Sequence, residues 1–341
     1  MTTATRSEVA RRRRRRLVAA LFVAAPLVAE FVSGNLPIIY VWLLVIYAPL
    51  YGGAAVLIRE LGRRSARPWP VIATFGLAYG VVEESFVSFS LFNPEYADLA
   101  LLEFGWIPAL GIGAWWSVFV VVLHAVWSIC VPVVLVESFA GDLADRPWLS
   151  RRGMAGAAVA FVLGAAAAVA VTISEDSFLP SGGQLVGATL TVAVLIAVAT
   201  LLARRPVRSR RSATEPAPSP GAVAIVAALA GLAFVAGAAQ AGPVLVTLFG
   251  YAVLFAGVAV CISRWSHSDG WDARHRLALA TGVLVPHVAF ALLQPTLVDV
   301  PTWVGVGGDL IFAATLTVFV VIAWSRARPQ IVGHGRSRAS G

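Results

Sequence analysis

The chain has 341 residues, of which 59% are hydrophobic and only 13% charged, with a formal net charge of +8. A soluble domain carries about 25% charged residues, so a water-soluble globular fold is excluded. Apolar runs of about 17–25 residues recur, each long enough to cross a hydrocarbon core as a helix, and none shows the period-two alternation of a membrane barrel. The fold class is all-α, a polytopic integral membrane helical bundle whose first partner is the lipid bilayer.

In chain order, residues 1–16 form a basic cytoplasmic N-tail ending in RRRRRR. Beside an apolar span, such a run orients the helix and meets anionic lipid, so no nucleic-acid partner is expected. Residues 11–29 have the outline of a signal peptide, but Leu27 and Ala29 make a poor small-x-small cleavage site. An uncleaved anchor is expected. Six spans follow within 17–203, at 17–33, 36–58, 69–91, 114–137, 153–174 and 183–203. Residues 204–220, basic and then Pro/Ser/Ala-rich, read as a cytoplasmic linker. Four more spans, at 221–240, 243–263, 277–294 and 303–324, fill 221–324, and 325–341 form a basic C-tail.

Charge tests this threading independently. All 26 basic residues are arginine. With the N-terminus inside, every one falls on the inner side. The N-tail holds Arg6 and Arg11 to Arg16. The inner loops hold Arg59, Arg63, Arg64 and Arg67, then Arg146, Arg151 and Arg152, then Arg204, Arg205, Arg208, Arg210 and Arg211, then Arg264, Arg274 and Arg276. The C-tail holds Arg326, Arg328, Arg336 and Arg338. Outer loops carry only acids: Glu95, Asp98, Glu103, Glu175, Asp176 and Asp299. The positive-inside rule then gives ten spans, both termini cytoplasmic, and a multi-pass protein of the cell membrane.

Several segments read as structural. Cys130 and Cys261 lie in spans and form no disulfide framework. The Ala/Gly/Val-rich spans 153–174 and 221–240 suit close helix packing. Trp106, Trp115 and Trp116, in or just after the outer loop 92–113, suit an interfacial aromatic belt; a lid over a site is the alternative. His267, His275 and His334 fall in inner loops. Arg59 and Glu60 read as an ion pair at the membrane edge, and for Glu30, an ionisable group near the outer end of the first span, snorkelling is as good a reading as a place in a site.

The chemistry-bearing candidates are ionisable groups inside spans, where burial is costly without a partner. They are Glu83 and Glu84 in the third span, His124 in the fourth, His287 in the ninth and Asp309 in the tenth. At about 1.5 Å rise per residue, all lie roughly 9–15 Å below the outer ends of their spans. Asp309, within VGVGGDL, is equally suited to bending a helix. Gly76, Gly80, Glu84 and Ser88 recur every four residues as one stripe, and GLAYG lets a neighbouring helix approach. Glu83 falls one turn above Tyr79, within possible reach of its hydroxyl. His124 and Ser128 share a face, and Pro286 precedes His287, where it can kink the helix.

Paired carboxylates split into acid and base can activate water, with histidine orienting it or donating to an oxyanion. The same groups suit a divalent metal or a proton relay, so the cofactor is left open.

A Glu-Glu pair in a membrane helix followed by two intramembrane histidines resembles the CAAX-protease and bacteriocin-processing family of intramembrane glutamate proteases, and a related family of anti-sigma-factor proteases. The resemblance covers mainly 69–137. The family's EExxxR falls on Glu83 and Glu84, with Ser88 in place of the arginine. Its FxxxH falls on Val120 and His124, with Phe119 one residue away. Its last motif uses His287, with Ala291 where Asn or Asp is usual, and four spans separate the two histidines. The resemblance implies a peptidase in which Glu83 or Glu84 activates water, His124 and His287 bind water or the oxyanion, and the partner is a membrane-protein or peptide substrate. A proton- or cation-coupled transporter using the Glu pair is the alternative, and a non-catalytic membrane scaffold the third reading.

Overall fold

The computed structural model describes residues 3–206, 213–293, 298 and 300–327. Arg208, Arg210 and Arg211 of the linker, Asp299, and Arg328, His334, Arg336 and Arg338 of the C-tail lie outside the described residues. The protein is an all-α bundle. Helix α1 runs Thr3–Pro26 and continues as a wider π turn over Leu27–Phe31. The others are α2 (Ile38–Arg63), α3 (Pro68–Phe86), α4 (Ala114–Glu137), α5 (Arg151–Glu175), α6 (Gly182–Arg204), α7 (Pro220–Ala239), α8 (Val244–Trp265), α9 (Ala273–Leu293) and α10 (Thr302–Arg326).

Among the described residues, eight of these rods, α2 and α4 to α10, are long and apolar enough to cross a membrane. The two others, α1 and α3, carry the arginine run and the Glu pair, which lower their hydropathy. Large apolar side chains such as Leu163, Leu190, Phe249 and Trp303 lie on the outside, as lipid-facing helices require.

The tightest helix contacts are made by glycines. A Cβ at Gly80 would sit 2.9 Å from the Val121 carbonyl oxygen and 3.1 Å from His124 Cβ, and one at Gly76 3.1 Å from Ala125 Cα. The GxxxG stripe of α3 therefore lies directly on α4. A Cβ at Gly282 of α9 would meet the Ala224 carbonyl oxygen of α7 at 2.4 Å, and one at Gly164 of α5 would meet the Leu50 nitrogen of α2 at 2.4 Å. The small-residue spans thus each press one narrow face inward. The rest of α5 and α7 stays exposed, with 11% and 22% of their most apolar windows buried.

Arginine contacts tie many of the chain's turns to one end of the bundle. Arg13 of α1 bonds Asp142 and the Ala140 carbonyl, Arg67 bonds the Pro206 carbonyl, and Arg274 of α9 bonds the Ala327 carbonyl. Here also lies a buried cluster rather than the simple pair expected of Arg59 and Glu60. Arg59 Nε donates to Glu137 at 3.0 Å and its Nη1 to Glu60 at 2.7 Å, with its guanidinium 3.5 Å from the centre of the Trp148 ring. Arg63 chelates Glu137 and bonds Asp145. Glu60 accepts the backbone N–H groups of Trp148 and Leu149. Every charge is satisfied, which makes this a structural clamp between α2, α4 and the loop that opens α5.

Two further expectations are corrected. Helix α3 ends at Phe86, five residues short of the expected span end at 91, because the chain turns back through Ser88–Ser90 with Phe89 in the left-handed region (φ 61°). The tryptophans do not form a belt together. Trp106, in a small hairpin of β1 (Trp106–Ile107) and β2 (Ile112–Gly113), is 46% exposed. Trp115 is buried and bonds Tyr251, and Trp116 points inward to Ser90.

Candidate functional site

The site forms where the last turn of α3 meets the middle of α4. Because Gly80 brings the two backbones together, Glu84, one turn on, reaches across to His124. His124 Nε2 lies 2.6 Å from Glu84 Oε1 and 3.4 Å from Glu83 Oε2. On the other side of the ring, Nδ1 is 2.9 Å from Ser128 Oγ. With Nε2–H donating to the carboxylates, Nδ1 accepts the serine hydroxyl, which fixes one tautomer. All three ionisable groups are buried, with 6%, 5% and 4% exposure for Glu83, Glu84 and His124.

The two carboxylates are held differently. Glu84 is surrounded by donors: His124 on Oε1, and Ser88 Oγ at 3.0 Å together with Ser90 Oγ on Oε2. Ser90 is itself oriented by the Trp116 indole N–H, 3.0 Å away. Glu83 accepts only long contacts of 3.4 Å, from Ser88 and from His124. Glu84 is thus the fixed acid that aims the imidazole, and Glu83 the less committed one. The Tyr79 hydroxyl, placed within possible reach of Glu83 by spacing, is buried with no hydrogen-bond partner among the described residues.

A second tier surrounds this core. Tyr51 of α2 stacks on the His124 ring with centroids 5.9 Å apart, and Tyr79 meets it edge-on at 5.7 Å. The Tyr51 hydroxyl donates to Glu30 of α1, which also takes a bond from Asn35. Glu30 is therefore an anchored part of the site's surroundings, not a snorkelling acid. Its signal was visible, an acid inside an apolar run, whereas nothing marked Tyr51 or Ser90. Three π-helical turns occur among the described residues, Leu27–Phe31, Ala48–Gly52 and His124–Cys130. They carry Glu30, Tyr51 and His124 respectively. A π turn re-aims a side chain by one extra residue, and such turns gather at functional sites.

A family model described as an uncharacterized membrane protein family matches residues 19–330. The chain belongs to this family. No curated protein and no solved structure matches it. The matched range takes in all of the site's groups, from Glu30 to Ser128.

His287 and Asp309 are not gathered in with the others. His287 of α9 is buried, stacks on Trp127 at 4.9 Å and sets its Nε2 3.3 Å from the Val28 carbonyl oxygen, which satisfies it as a packing residue. Asp309 of α10 is buried with Oδ1 unpartnered among the described residues. His275, expected in a loop, instead lies in the first turn of α9, bonded to Asp272 and the Pro218 carbonyl. Cys130 and Cys261 are free thiols.

Chemically, Glu83, Glu84 and His124 offer ligand atoms all within 4.8 Å of one another, and these three residues could hold a divalent cation. Without one, they form a carboxylate pair with an aimed imidazole donor, the equipment for moving a proton to or from water.

Proposed function

We propose that this membrane protein is an intramembrane peptidase of the glutamate type, threaded ten times through the cell membrane with both termini cytoplasmic and the site in the outer half. The observation that carries the reading is the buried contact of His124 Nε2 with both carboxylates, 2.6 Å from Glu84 and 3.4 Å from Glu83. Glu83 takes a proton from water as the water oxygen attacks the peptide carbonyl carbon. His124, its Nε2–H on the carboxylates and its Nδ1 on Ser128, holds the pair in place while the developing oxyanion takes its hydrogen bond from another donor. The proton then passes to the leaving nitrogen as the C–N bond breaks, giving an amine and a carboxylic acid, which loses its own proton to water. The unpartnered Tyr79 hydroxyl supplies a donor beside the ring. His287, which the family resemblance assigned to the oxyanion, has no part in this reading.

Substrate entry requires the 87–113 segment to lift. Its backbone supports that role, because Phe89, Ala97, Asp98 and Ala100 all have positive φ, between 49° and 61°. Such strain gathers in switching and clamping segments. The gathering of arginine-bearing turns at one end of the bundle supports the threading.

The test compares cells carrying the wild-type chain with cells carrying Glu83→Gln, by terminus-resolved proteomics of the membrane fraction. The peptidase reading expects at least one membrane protein whose new terminus falls by about 10²-fold or more in the variant, the scale of general-base loss. Identical terminus profiles overturn it, provided the variant melts at the wild-type temperature in detergent.

One observation favours a second reading. The three-residue ligand set, with Glu30 and Tyr51 adjoining it, also suits a proton- or cation-coupled carrier. Proteoliposomes separate the two: a proton or cation flux abolished by Glu84→Gln, with no cleavage, selects the carrier.

A further inference from the structure

At the arginine-bearing end, α1, the end of α4 and the last turn of α10 enclose a cleft of about 350 Å³. Arg13, Arg16 and Leu17 line it from α1, and the spacing i, i+3, i+4 puts them on one helical stripe. Phe139 and Phe319 form its floor, their ring centroids 4.7 Å apart. Arg326 closes the far side, with its guanidinium carbon 5.5 Å from the Phe139 ring centre.

The charges in this cleft are unequal in their commitments. Arg13 is held by Asp142 at 2.8 Å and the Ala140 carbonyl at 2.7 Å, and so serves as a fixed wall. Arg16 and Arg326 are exposed and make no ion pair among the described residues. Two guanidiniums without an acidic partner among the described residues thus line one cleft with the half-buried rings of Phe139 and Phe319. An anion suits the rim and hydrocarbon suits the floor. Basic pockets between helices at the cytoplasmic surface take such headgroups, and arginine's planar fork matches phosphate oxygens.

We propose that this cleft binds one anionic phospholipid, its phosphate held between Arg16 and Arg326 and its upper acyl chain on Phe139 and Phe319. The site is independent of the Glu83–Glu84–His124 centre and lies towards the opposite end of α4.

The test is native mass spectrometry of the full chain, delipidated in detergent and titrated with phosphatidylglycerol or phosphatidylcholine. The wild-type chain is expected to retain one phosphatidylglycerol in preference to phosphatidylcholine. Arg16→Ala/Arg326→Ala is expected to weaken it about tenfold or more, since each near-surface arginine contributes measurably to anionic-lipid binding. Arg151→Ala/Arg152→Ala, which removes the same charge elsewhere, is expected to leave it unchanged.

No preference for phosphatidylglycerol in the wild-type chain overturns the proposal without recourse to any variant. Equal weakening by both variant pairs overturns it as bulk charge attraction. Displacement of the lipid by millimolar inorganic phosphate reassigns the cleft to a free anion. None of these readouts depends on peptidase activity.

Discussion

At the scale of single residues, the site is a set of unequal partners. Glu84 is saturated with donors and Glu83 is not, so exchanging either for glutamine has different consequences. Glu83→Gln removes the proton acceptor and leaves the His124–Glu84 bond intact. Tyr51→Phe deletes the hydroxyl that donates to Glu30, leaving a partly buried carboxylate with only the Asn35 contact at 3.4 Å. That change is expected to destabilise the protein by about 1–3 kcal/mol, the cost of a lost partner at a buried acceptor. It is read as a lower melting temperature in detergent, while Tyr47→Phe, whose hydroxyl makes no such bond, serves as the control. The sequence marks Glu83, Glu84 and His124 because charge in an apolar run is conspicuous, and the same rule singles out His287. It cannot separate them. A histidine that satisfies itself on a backbone carbonyl and an indole looks the same in one dimension as a histidine aimed at a carboxylate.

At the scale of elements, three departures from regular helix build the site. The π turns carrying Glu30, Tyr51 and His124 each have a proline at hand: Pro26 just before the first, Pro49 inside the second and Pro132 two residues after the third. Proline lacks the N–H that a regular turn would use, so these prolines are a signal that spacing rules based on 3.6 residues per turn pass over. The turn after α3 is the other departure. Hydropathy runs on through Val87, Phe89 and Leu91, so it extends the span to 91. The chain in fact folds back to bring Ser88 and Ser90 onto Glu84. Irregular backbone at such a level is tolerated when protein covers it, and here Ser90, Leu91 and Phe92 are buried. The strained stretch beyond it yields a stability prediction. Ala97→Gly or Ala100→Gly relieves a left-handed alanine, which costs roughly 1–2 kcal/mol, against about 0.5–1 kcal/mol of added chain entropy. Each is expected to raise stability by up to about 1 kcal/mol, measured as resistance to thermal unfolding in detergent. An unchanged or lowered midpoint would show that the loop's conformation costs nothing to hold.

At the scale of the molecule, the periodic recurrence of apolar runs specifies the all-α bundle, though α3 stops five residues short of its run and α1 begins at Thr3, inside the stretch expected to be an N-tail. What one dimension conceals is the inequality among the helices. Helices α5, α6 and α8 give almost their whole circumference to lipid, with 11%, 11% and 6% of their most apolar windows buried, against 61% for α4. Composition makes them look alike. The clamp at the arginine end belongs to this scale because it ties α2 and α4 to the chain that starts α5. Glu137→Leu leaves Arg59 and Arg63 buried without their shared carboxylate, and breaking a buried pair in this way costs about 3–5 kcal/mol. The expected outcome is poor recovery of folded protein, seen as early-eluting aggregate in size-exclusion chromatography, whereas loss of the exposed Arg12–Glu8 pair leaves the profile unchanged. The position of this clamp along the chain has a consequence for biosynthesis. Glu30, Tyr51, Glu83, Glu84, His124 and Ser128, together with the Arg59 cluster as far as Leu149, all precede α5. When the ribosome has released α4 and the loop behind it, Glu30, Glu84, His124 and the Arg59 cluster already have their partners, and the remaining helices are laid around a centre that can have closed before they were made.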